Sequence, residues 1–500
     1  MKEGLKNMRT RIAPSPTGFL HIGTARTALV NYLVAKKNGG HFVLRIEDTD
    51  LQRSDKKFEE DIIEGLKWLG VCWDEGIEVG GDFAPYRQSE RLESYKKYIK
   101  ELLDQGRIYH CFCSEEELEE HRQKMLKEKK PAIYSGKCSD LGAKEVQEKI
   151  NNGEKSILRF RAPSKKIEFN DVIKGKIEFD TALIGDISIA KDENTPLYNF
   201  AVVVDDHEMN INFVIRGEDH VSNTPKQILI QDALGFSVPI YAHLPLVLGS
   251  DKRKMSKRDG ATSLIEYKKD GYLPEAMVNF LAFLGWNPGD DREIFSMDEL
   301  IKEFDLKKYQ RSGAIFNIKK LDWFNAYYIK QKSIEEITDL CIPYLEEADL
   351  ISSSGSAFLV KRTEEKLKRT QLKNIIALEK ERIKKLSEIS YAVSFFFVEK
   401  VDFPDPAILI WRKGTKEKTL EALGEVMLKL NLMESEDFKA DKIKGSLQGL
   451  TDKYGNGDVF WPLRVALSGR EASPGPLEIA EVLGKNKVIK RIKNAIEALS

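Results

Sequence analysis

The segment Arg11-Ile-Ala-Pro-Ser-Pro-Thr-Gly-Phe-Leu-His21-Ile-Gly-Thr24 constrains the fold more than any other part of the chain. Residues 9–13 form a short β-type run. Pro14-Ser-Pro-Thr-Gly18 cannot continue it and forces a loop. His21 to Lys37 then reads as a helix, stopped by Asn38-Gly39-Gly40. A strand that ends in such a loop and restarts as a helix points the helix N-terminus at whatever lies beyond the strand. Unpaired backbone N–H groups there favour an anion such as a phosphate.

The alternation continues. His41-Phe-Val-Leu-Arg-Ile46 reads as a second strand with Glu47-Asp-Thr-Asp50 at its carboxyl end. Phe58, Ile62, Ile63, Leu66 and Leu69 mark one face of a helix that Gly70 stops. This β-α-β-α order predicts a parallel sheet. A further β-type run, 210–215, leads into Arg216-Gly-Glu-Asp-His220, and Leu246-Val-Leu248 precedes Lys254-Met-Ser-Lys257-Arg-Asp-Gly. The Glu47 and Arg216 loops are expected just beyond strand ends, where open α/β sheets bind ligands.

Five hundred residues are too many for one ordinary core, so two to four domains are expected. The expected division is 1–109 and 196–250 for the two halves of a Rossmann-type parallel sheet, interrupted by an α+β insertion at 110–195. A lysine loop and helical region follow at 251–335. After about residue 335 amphipathic helix patterns take over, giving an all-α C-terminal region split into 336–400 and 401–500 by the Pro/Phe-rich stretch Phe395–Pro406.

With 32% charged and 41% apolar residues and a net charge of -1, no global field draws the chain to nucleic acid, so any RNA contact must be local. No apolar run approaches the ~18 residues of a membrane helix, and the first residues lack an apolar leader segment. Five cysteines argue against a disulfide framework and for a reducing, cytoplasmic setting.

His21 can hydrogen-bond a phosphate oxygen, and Gly23 leaves room for a base or ribose. Alone, His-Ile-Gly at a helix start is more often structural than catalytic; the preceding Pro/Gly loop reverses that balance. Lys254 and Lys257, three residues apart on a Gly/Ser/Asp-flanked loop, can close over the negative charge of a pentavalent phosphate. Such preorganised donors are worth roughly 10²–10³ in rate. Glu47 suits an α-ammonium group. Arg216 and Arg11 suit carboxylates, and Tyr198 offers a hydroxyl.

Together, Arg11-Ile-Ala-Pro-Ser-Pro-Thr-Gly, Leu44-Arg-Ile-Glu-Asp-Thr-Asp50, Tyr86-Arg-Gln-Ser-Glu-Arg91, Tyr198-Asn-Phe-Ala-Val-Val-Val-Asp-Asp206, Arg216-Gly-Glu-Asp-His-Val-Ser-Asn-Thr-Pro225 and Lys254-Met-Ser-Lys-Arg258 resemble bacterial glutamyl-tRNA synthetase, a class I aminoacyl-tRNA synthetase, over essentially the full length. The resemblance implies ATP-dependent attachment of L-glutamate to the 3′ end of glutamate tRNA through glutamyl-adenylate, with Mg²⁺ accompanying ATP. It implies a catalytic set of His21, Thr24, Lys254 and Lys257. A glutamate pocket of Arg11, Ala13, Ser15, Glu47, Tyr198 and Arg216 is implied, and an ATP site of His21, Gly23, Asp219, Lys254, Met255, Ser256, Lys257 and Arg258. Thr24 stands where the class usually has His, and Val202 where some members have Asn.

The resemblance further implies that the C-terminal half is a helical anticodon cage, with Arg382 and Arg464 contacting tRNA. Residues 361–385 hold ten Lys/Arg against four Asp/Glu, and Lys485–Lys493 is also cationic; a solvated helix face would explain both equally. The glutaminyl enzymes, which share the sheet, carry β-barrel anticodon domains that this helical pattern does not match. Cys111-Phe-Cys113 with Cys138 suggests a structural Zn²⁺, with Asp140 or Tyr134 as fourth ligand; three ordinary thiols are the alternative. The chain is expected to act as a monomer.

Overall fold

The computed structural model describes residues 7–50, 52–255, 263–355, 357–412 and 414–500. The described residues form two compact units, Met1–Lys268 with Pro274–Lys320, and Lys269–Leu273 with Leu321–Ser500.

The first unit begins with β1 (Arg9–Ile12), α1 (Ile22–Lys37), β2 (His41–Leu44), α2 (Lys56–Trp68) and β3 (Glu75–Gly76). β1 pairs parallel with β2, and β2 parallel with β3, as the β-α-β-α order predicts. α1 is buried on nearly all sides, with Ala25, Ala28, Leu29, Val30 and Leu33 inaccessible to solvent. It therefore reads as a central helix rather than an amphipathic surface one. Thr10 Oγ1 donates to Asn31 O (3.0 Å), and Asn31 Nδ2 donates to Ile215 O (3.0 Å), tying the helix to the sheet on both sides. Truncating a side chain such as Leu29 to Ala there would cost about 2–5 kcal/mol.

After α3 (Leu92–Asp104), the chain forms β4 (Ile108–Cys111), α4 (Glu115–Lys127), α5 (Ala143–Asn151), β5 (Ile157–Phe160), β6 (Lys166–Asp171), β7 (Gly175–Asp180), β8 (Ile187–Asp192) and β9 (Thr195–Pro196). These strands do not form one separate sheet. β4, β5, β8 and β9 make an antiparallel sheet of their own, whereas the β6–β7 hairpin joins the second half of the parallel sheet through Asp171 and Tyr241. That half consists of α6 (Tyr198–Glu208), β10 (Phe213–Gly217), α7 (Thr224–Leu234) and β11 (Ile240–Leu244), with β10 and β11 parallel.

β1 and β10 run side by side. Arg9 N–H donates to Asn212 Oδ1 (2.9 Å), and Asn212 N–H donates to Arg9 O (3.3 Å). The strand order therefore reverses between β1 and β10, and in open α/β sheets the ligand crevice lies beyond the carboxyl ends at such a point. Arg216 requires a correction. It lies inside β10, in register with His243 of β11, rather than in the loop beyond. The strand runs later than the apolar pattern suggested because its burial continues through Arg216.

The second unit is mainly helical, with helices Ile334–Glu347, Arg369–Lys380, Lys416–Leu432, Ala440–Tyr454, Asn456–Ser468, Pro476–Leu483 and Lys485–Leu499. An all-α expectation missed one element: Ile351–Ser354, Ala357–Val360 and Lys366–Lys368 form an antiparallel meander. Its strands are too short, and its first too rich in serine, to show period-2 alternation. Phe395, Phe396 and Phe397, expected at a subdomain boundary, are buried. No helix among the described residues is long and apolar enough to cross a membrane.

Candidate active site

The loop after β1 and the start of α1 form one wall of the crevice. His21 is the N-cap of α1; its Nδ1 accepts from the backbone N–H groups of Gly23 (3.1 Å) and Thr24 (3.3 Å). Nδ1 is thereby unprotonated, so the ring hydrogen of neutral His21 sits on Nε2, 3.1 Å from Thr24 Oγ1. Loss of hydration, and then the charge of Lys254, push the His21 pKa below its ordinary value, and Asp219 only partly offsets them. At neutral pH the group is a neutral N–H donor beside a helix N-terminus. A Cβ on Gly23 would lie 3.1 Å from the His21 ring, so glycine lets the imidazole fold back over the turn.

Lys254 and Asp219 face each other across this site, Nζ to Oδ2 3.6 Å. A Cβ on Gly217 would stand 2.4 Å from Asp219 Oδ1, so this carboxylate reaches its position only over a glycine. Met255 N–H donates to Val247 O (3.0 Å), continuing the chain from the short strand β12 (Val247–Leu248). Ser256, Lys257 and Arg258 lie outside the described residues.

Deeper in the crevice the charges are buried and paired. Arg11 Nε donates to Asp206 Oδ1 (3.1 Å). Arg45, fully buried, reaches Asp206 (2.9 Å), Glu47 (3.2 Å) and Asp205 (3.5 Å). Asp205 also accepts from Arg91 (2.6 Å), Gln88 (2.8 Å) and Tyr95 (2.9 Å). Burial pushes the Glu47 carboxyl up to about 7, outweighing the pull of Arg45 and Arg11. Burial acts on Asp206 too, but there Arg11 and Arg45 prevail and hold its pKa below the usual carboxylate range. Arg45, Arg91, Asp205 and Asp206 were not singled out from sequence as site residues. The available signal was an Asp pair inside the otherwise apolar α6, since buried carboxylates require cations.

Tyr198 opens α6, its hydroxyl 3.0 Å from His220 Nδ1. Burial raises its pKa; Arg216, Glu47 and Arg11 lie close enough to act on it in opposite directions. Arg216, Glu47 and Arg11 thus all lie within electrostatic reach of Tyr198. Ala13 and the exposed Ser15 lie in the loop between β1 and α1, adjoining this group in sequence. The Arg216 guanidinium is buried. Its Nη1 has no hydrogen-bond partner among the described residues.

This arrangement offers a neutral donor and a lysine for phosphates, a carboxylate for an amine, and buried arginines for carboxylates. It agrees with the comparisons with known proteins. The family model described as tRNA synthetases class I (E and Q), catalytic domain, matches residues 7–323, and an anticodon binding domain model matches 336–496. The chain is 43% identical to the glutamate–tRNA ligase of Carboxydothermus hydrogenoformans over 97% of this chain and 99% of that one. It is 45% identical to glutamate–tRNA ligase 1 of Caldicellulosiruptor saccharolyticus over 97% and 98%. A crystal structure of a glutamate tRNA ligase from Elizabethkingia meningosepticum, in complex with its amino acid, superposes with a TM-score of 0.86 at 36% identity, covering 99% and 100% of the two chains. The chain belongs to the glutamate–tRNA ligases.

The ligase also carries a thiol cluster. The sulfurs of Cys111, Cys113 and Cys138 all lie within 4.8 Å of one another. Tyr134 OH stands 3.3 Å from Cys111 Sγ and 3.5 Å from Cys113 Sγ, and accepts from Cys138 N–H (3.0 Å). Asp140 is exposed and is not brought to the sulfurs, so of the two expected fourth ligands the fold supplies Tyr134. The donor set of three thiols and a phenol in one partly buried cluster fits a tetrahedral zinc ion. The Arg159 guanidinium lies 4.0 Å over the Tyr134 ring and favours the thiolate of Cys111, whereas burial and the neighbouring thiols raise the pKa of Tyr134.

In the second unit Arg382 Nε donates to Glu379 (2.9 Å). Arg464 lies on the helix Asn456–Ser468 with its Nε buried and unpartnered among the described residues.

Proposed function

We propose that this site joins L-glutamate to ATP, releasing pyrophosphate, and then transfers the glutamyl group to the terminal adenosine of glutamate tRNA, releasing AMP. What supports the reading is that Arg11 of β1, Arg216 of β10 and Glu47 all lie within electrostatic reach of Tyr198, whose hydroxyl is 3.0 Å from His220, the neighbour of Asp219 on the Lys254 side. Glutamate is a dicarboxylate with one ammonium. Glu47 would accept from the ammonium; Arg11 and Arg216 would face the two carboxylates.

No covalent enzyme intermediate is needed. A carboxylate oxygen of glutamate attacks the α-phosphorus, and the bond to the bridging oxygen of pyrophosphate breaks. His21 Nε2–H donates to phosphate oxygen as charge builds; Lys254 and Lys257 add cationic stabilisation that matters most in the transition state. Asp219 orients Lys254, while Gly23, Met255, Ser256 and Arg258 complete the ATP site. Thr24 Oγ1 shares the His21 hydrogen bond. Mg²⁺ accompanies ATP. Attack by the ribose hydroxyl of tRNA on the mixed anhydride then expels AMP. Orientation supplies the rest of the acceleration.

Zinc, held by Cys111, Cys113, Cys138 and Tyr134, would supply a structural cross-link between β4 and the segment that follows α4. Arg382 and Arg464 would contact tRNA from the helical unit.

The test is charging with labelled glutamate on purified glutamate and glutamine tRNAs, alongside pyrophosphate exchange in the presence of tRNA. Charging of glutamate tRNA, with Lys257→Ala losing exchange far more than tRNA affinity, is the expected result. Near wild-type exchange in Lys257→Ala would overturn the phosphate-clamp role.

A further inference from the structure

Arg216 is held unlike its neighbours. Arg11, Arg45 and Arg91 are all paired with carboxylates. Arg216 has only neutral partners among the described residues: its Nε donates to His243 Nε2 (3.2 Å) and its Nη2 to Thr224 Oγ1 (2.9 Å). The guanidinium also lies 5.4 Å from the Tyr241 ring centre. Tyr241 and His243 project from the same face of β11, their rings nearly parallel.

His243 can accept from Arg216 only in one tautomer. Its Nδ1 is 2.6 Å from Asp171 Oδ2, and the same oxygen accepts from the His243 backbone N–H (3.0 Å). Oδ1 of Asp171 accepts from the N–H groups of Ile173 (2.9 Å) and Lys174 (2.7 Å). A carboxylate surrounded by donors can only accept, so the imidazole hydrogen belongs on Nδ1 and Nε2 is left as a bare acceptor. Asp171 ends β6, where the hairpin from the insertion joins β11. Arg216 is thus aimed by a chain of hydrogen bonds that runs through three strands. Thr224, from the first turn of α7, fixes the second arm of the fork.

The consequence for the ligand is electrostatic. With Nε and Nη2 satisfied by neutral acceptors, Nη1 is buried and unpartnered, and no counter-ion within the described residues neutralises the group. A charged acceptor such as a carboxylate would meet the demand of this free arm most strongly. A carboxylate in place of His243 would have met that demand internally.

We propose that Asp171 and His243, with Thr224, are positioning residues for amino-acid recognition: they hold Arg216 with one arm free and its charge uncompensated, so that substrate carboxylate supplies the missing partner. This rests on the reading above that Arg216 faces glutamate. The role is positional, because none of the three needs to touch substrate.

Two near-isosteric variants separate aim from packing. His243→Asn keeps a donor for Asp171 but places no acceptor at the Nε2 position; His243→Gln keeps an acceptor there. Loss of one charge-assisted hydrogen bond should raise the glutamate KM roughly 10- to 100-fold in His243→Asn, with a clearly smaller rise in His243→Gln. The KM for ATP should stay within about 3-fold of wild type in both, since tenfold already means 1.4 kcal/mol. Thr224→Val, which removes the other acceptor at equal volume, should act in the same direction and serves if both His243 variants fail to fold. In an Arg216→Lys background, which lacks the fork, His243→Asn should add little further loss.

Equal rises in the KM for glutamate and ATP, or equal effects of Asn and Gln at 243, would overturn the positioning role. So would a full additive loss in the Arg216→Lys background. If Arg216→Lys itself leaves the glutamate KM unchanged, the assignment of Arg216 to glutamate fails instead, and the two failures are distinguishable.

Discussion

Two fully buried arginines, one in each unit, show two ways of housing a charge. Arg45, on the sheet side of the crevice, lies among Asp205, Asp206 and Glu47. Burial disfavours its charge, but the three carboxylates outweigh it and raise its pKa. Arg491, in the last helix of the second unit, meets no carboxylate among the described residues. It donates to the carbonyls of Leu467 (2.5 Å), Phe395 (2.7 Å) and Val398 (2.6 Å), and burial pushes it down to about 10. The first is a network of charged groups in which one cation meets several carboxylates, suited to binding a charged ligand. The second closes orphan carbonyls near helix ends, including the end of Asn456–Ser468. Burial alone does not distinguish a functional charge from a structural one; the identity of the partners does.

The largest break in that contrast should come from Arg45→Met. Asp205 and Asp206 keep other cations, but Glu47 loses a direct partner, and removing one member of a buried ionic cluster costs about 3–5 kcal/mol. Chemical denaturation should show that loss, together with much weakened glutamate binding. A variant of unchanged stability would mean that the network does not need its central cation.

Glu47→Gln sharpens the same region. In the folded state Glu47 is raised to about 7 from 4.5, so it takes up a proton on folding between those pH values. Its charge destabilises the fold progressively as pH rises through that window. Glu47→Gln should therefore gain stability above pH 7, on the order of a few kcal/mol, and gain nothing below pH 4.5. Glutamate affinity should move the other way. In wild type it should rise with pH through about 7, as the carboxylate needed by the ammonium forms; in Glu47→Gln it should be low and lose that step. Thermal melts and glutamate titrations at pH 4, 6 and 8 would measure both.

Arg491→Met tests the other side. It leaves three carbonyls without their donor, costing about 1–3 kcal/mol for each that stays buried and unpaired, yet glutamate and ATP affinities of the folded protein should be unchanged. A change in glutamate affinity would show that the two arginines are not functionally distinct.

The smallest effect on substrate binding is expected from Cys138→Ser. Zinc content of the purified protein and charging should fall, while nucleotide binding stays within about 2-fold, far below the 1.4 kcal/mol that a tenfold change represents. If wild type made in zinc-replete medium is fully active without zinc, the cluster is three plain thiols.

The local devices of this protein were legible in the chain. Pro14 to Gly18 had to break β1, α1 had to begin near His21, and the β-α-β-α order had to make neighbouring strands parallel, because turn chemistry and hydrophobic period act within a few residues. Cys111, Cys113 and Cys138 were visible as a metal-like set by residue type. What lay beyond reach were choices between distant groups. Nothing near Cys138 says that Tyr134 rather than Asp140 turns toward the sulfurs; the path of residues 131–140 decides it. The meander at 351–368 hides in short polar strands whose pairing depends on one another. Arg45, Asp205, Asp206, Asp171 and His243 are separated by up to roughly 200 positions, and a charge's meaning depends on who faces it after burial. Sequence supplied the residue types and the turns that present them. Only the tertiary structure decided which arginine was already satisfied and which was left with an arm free.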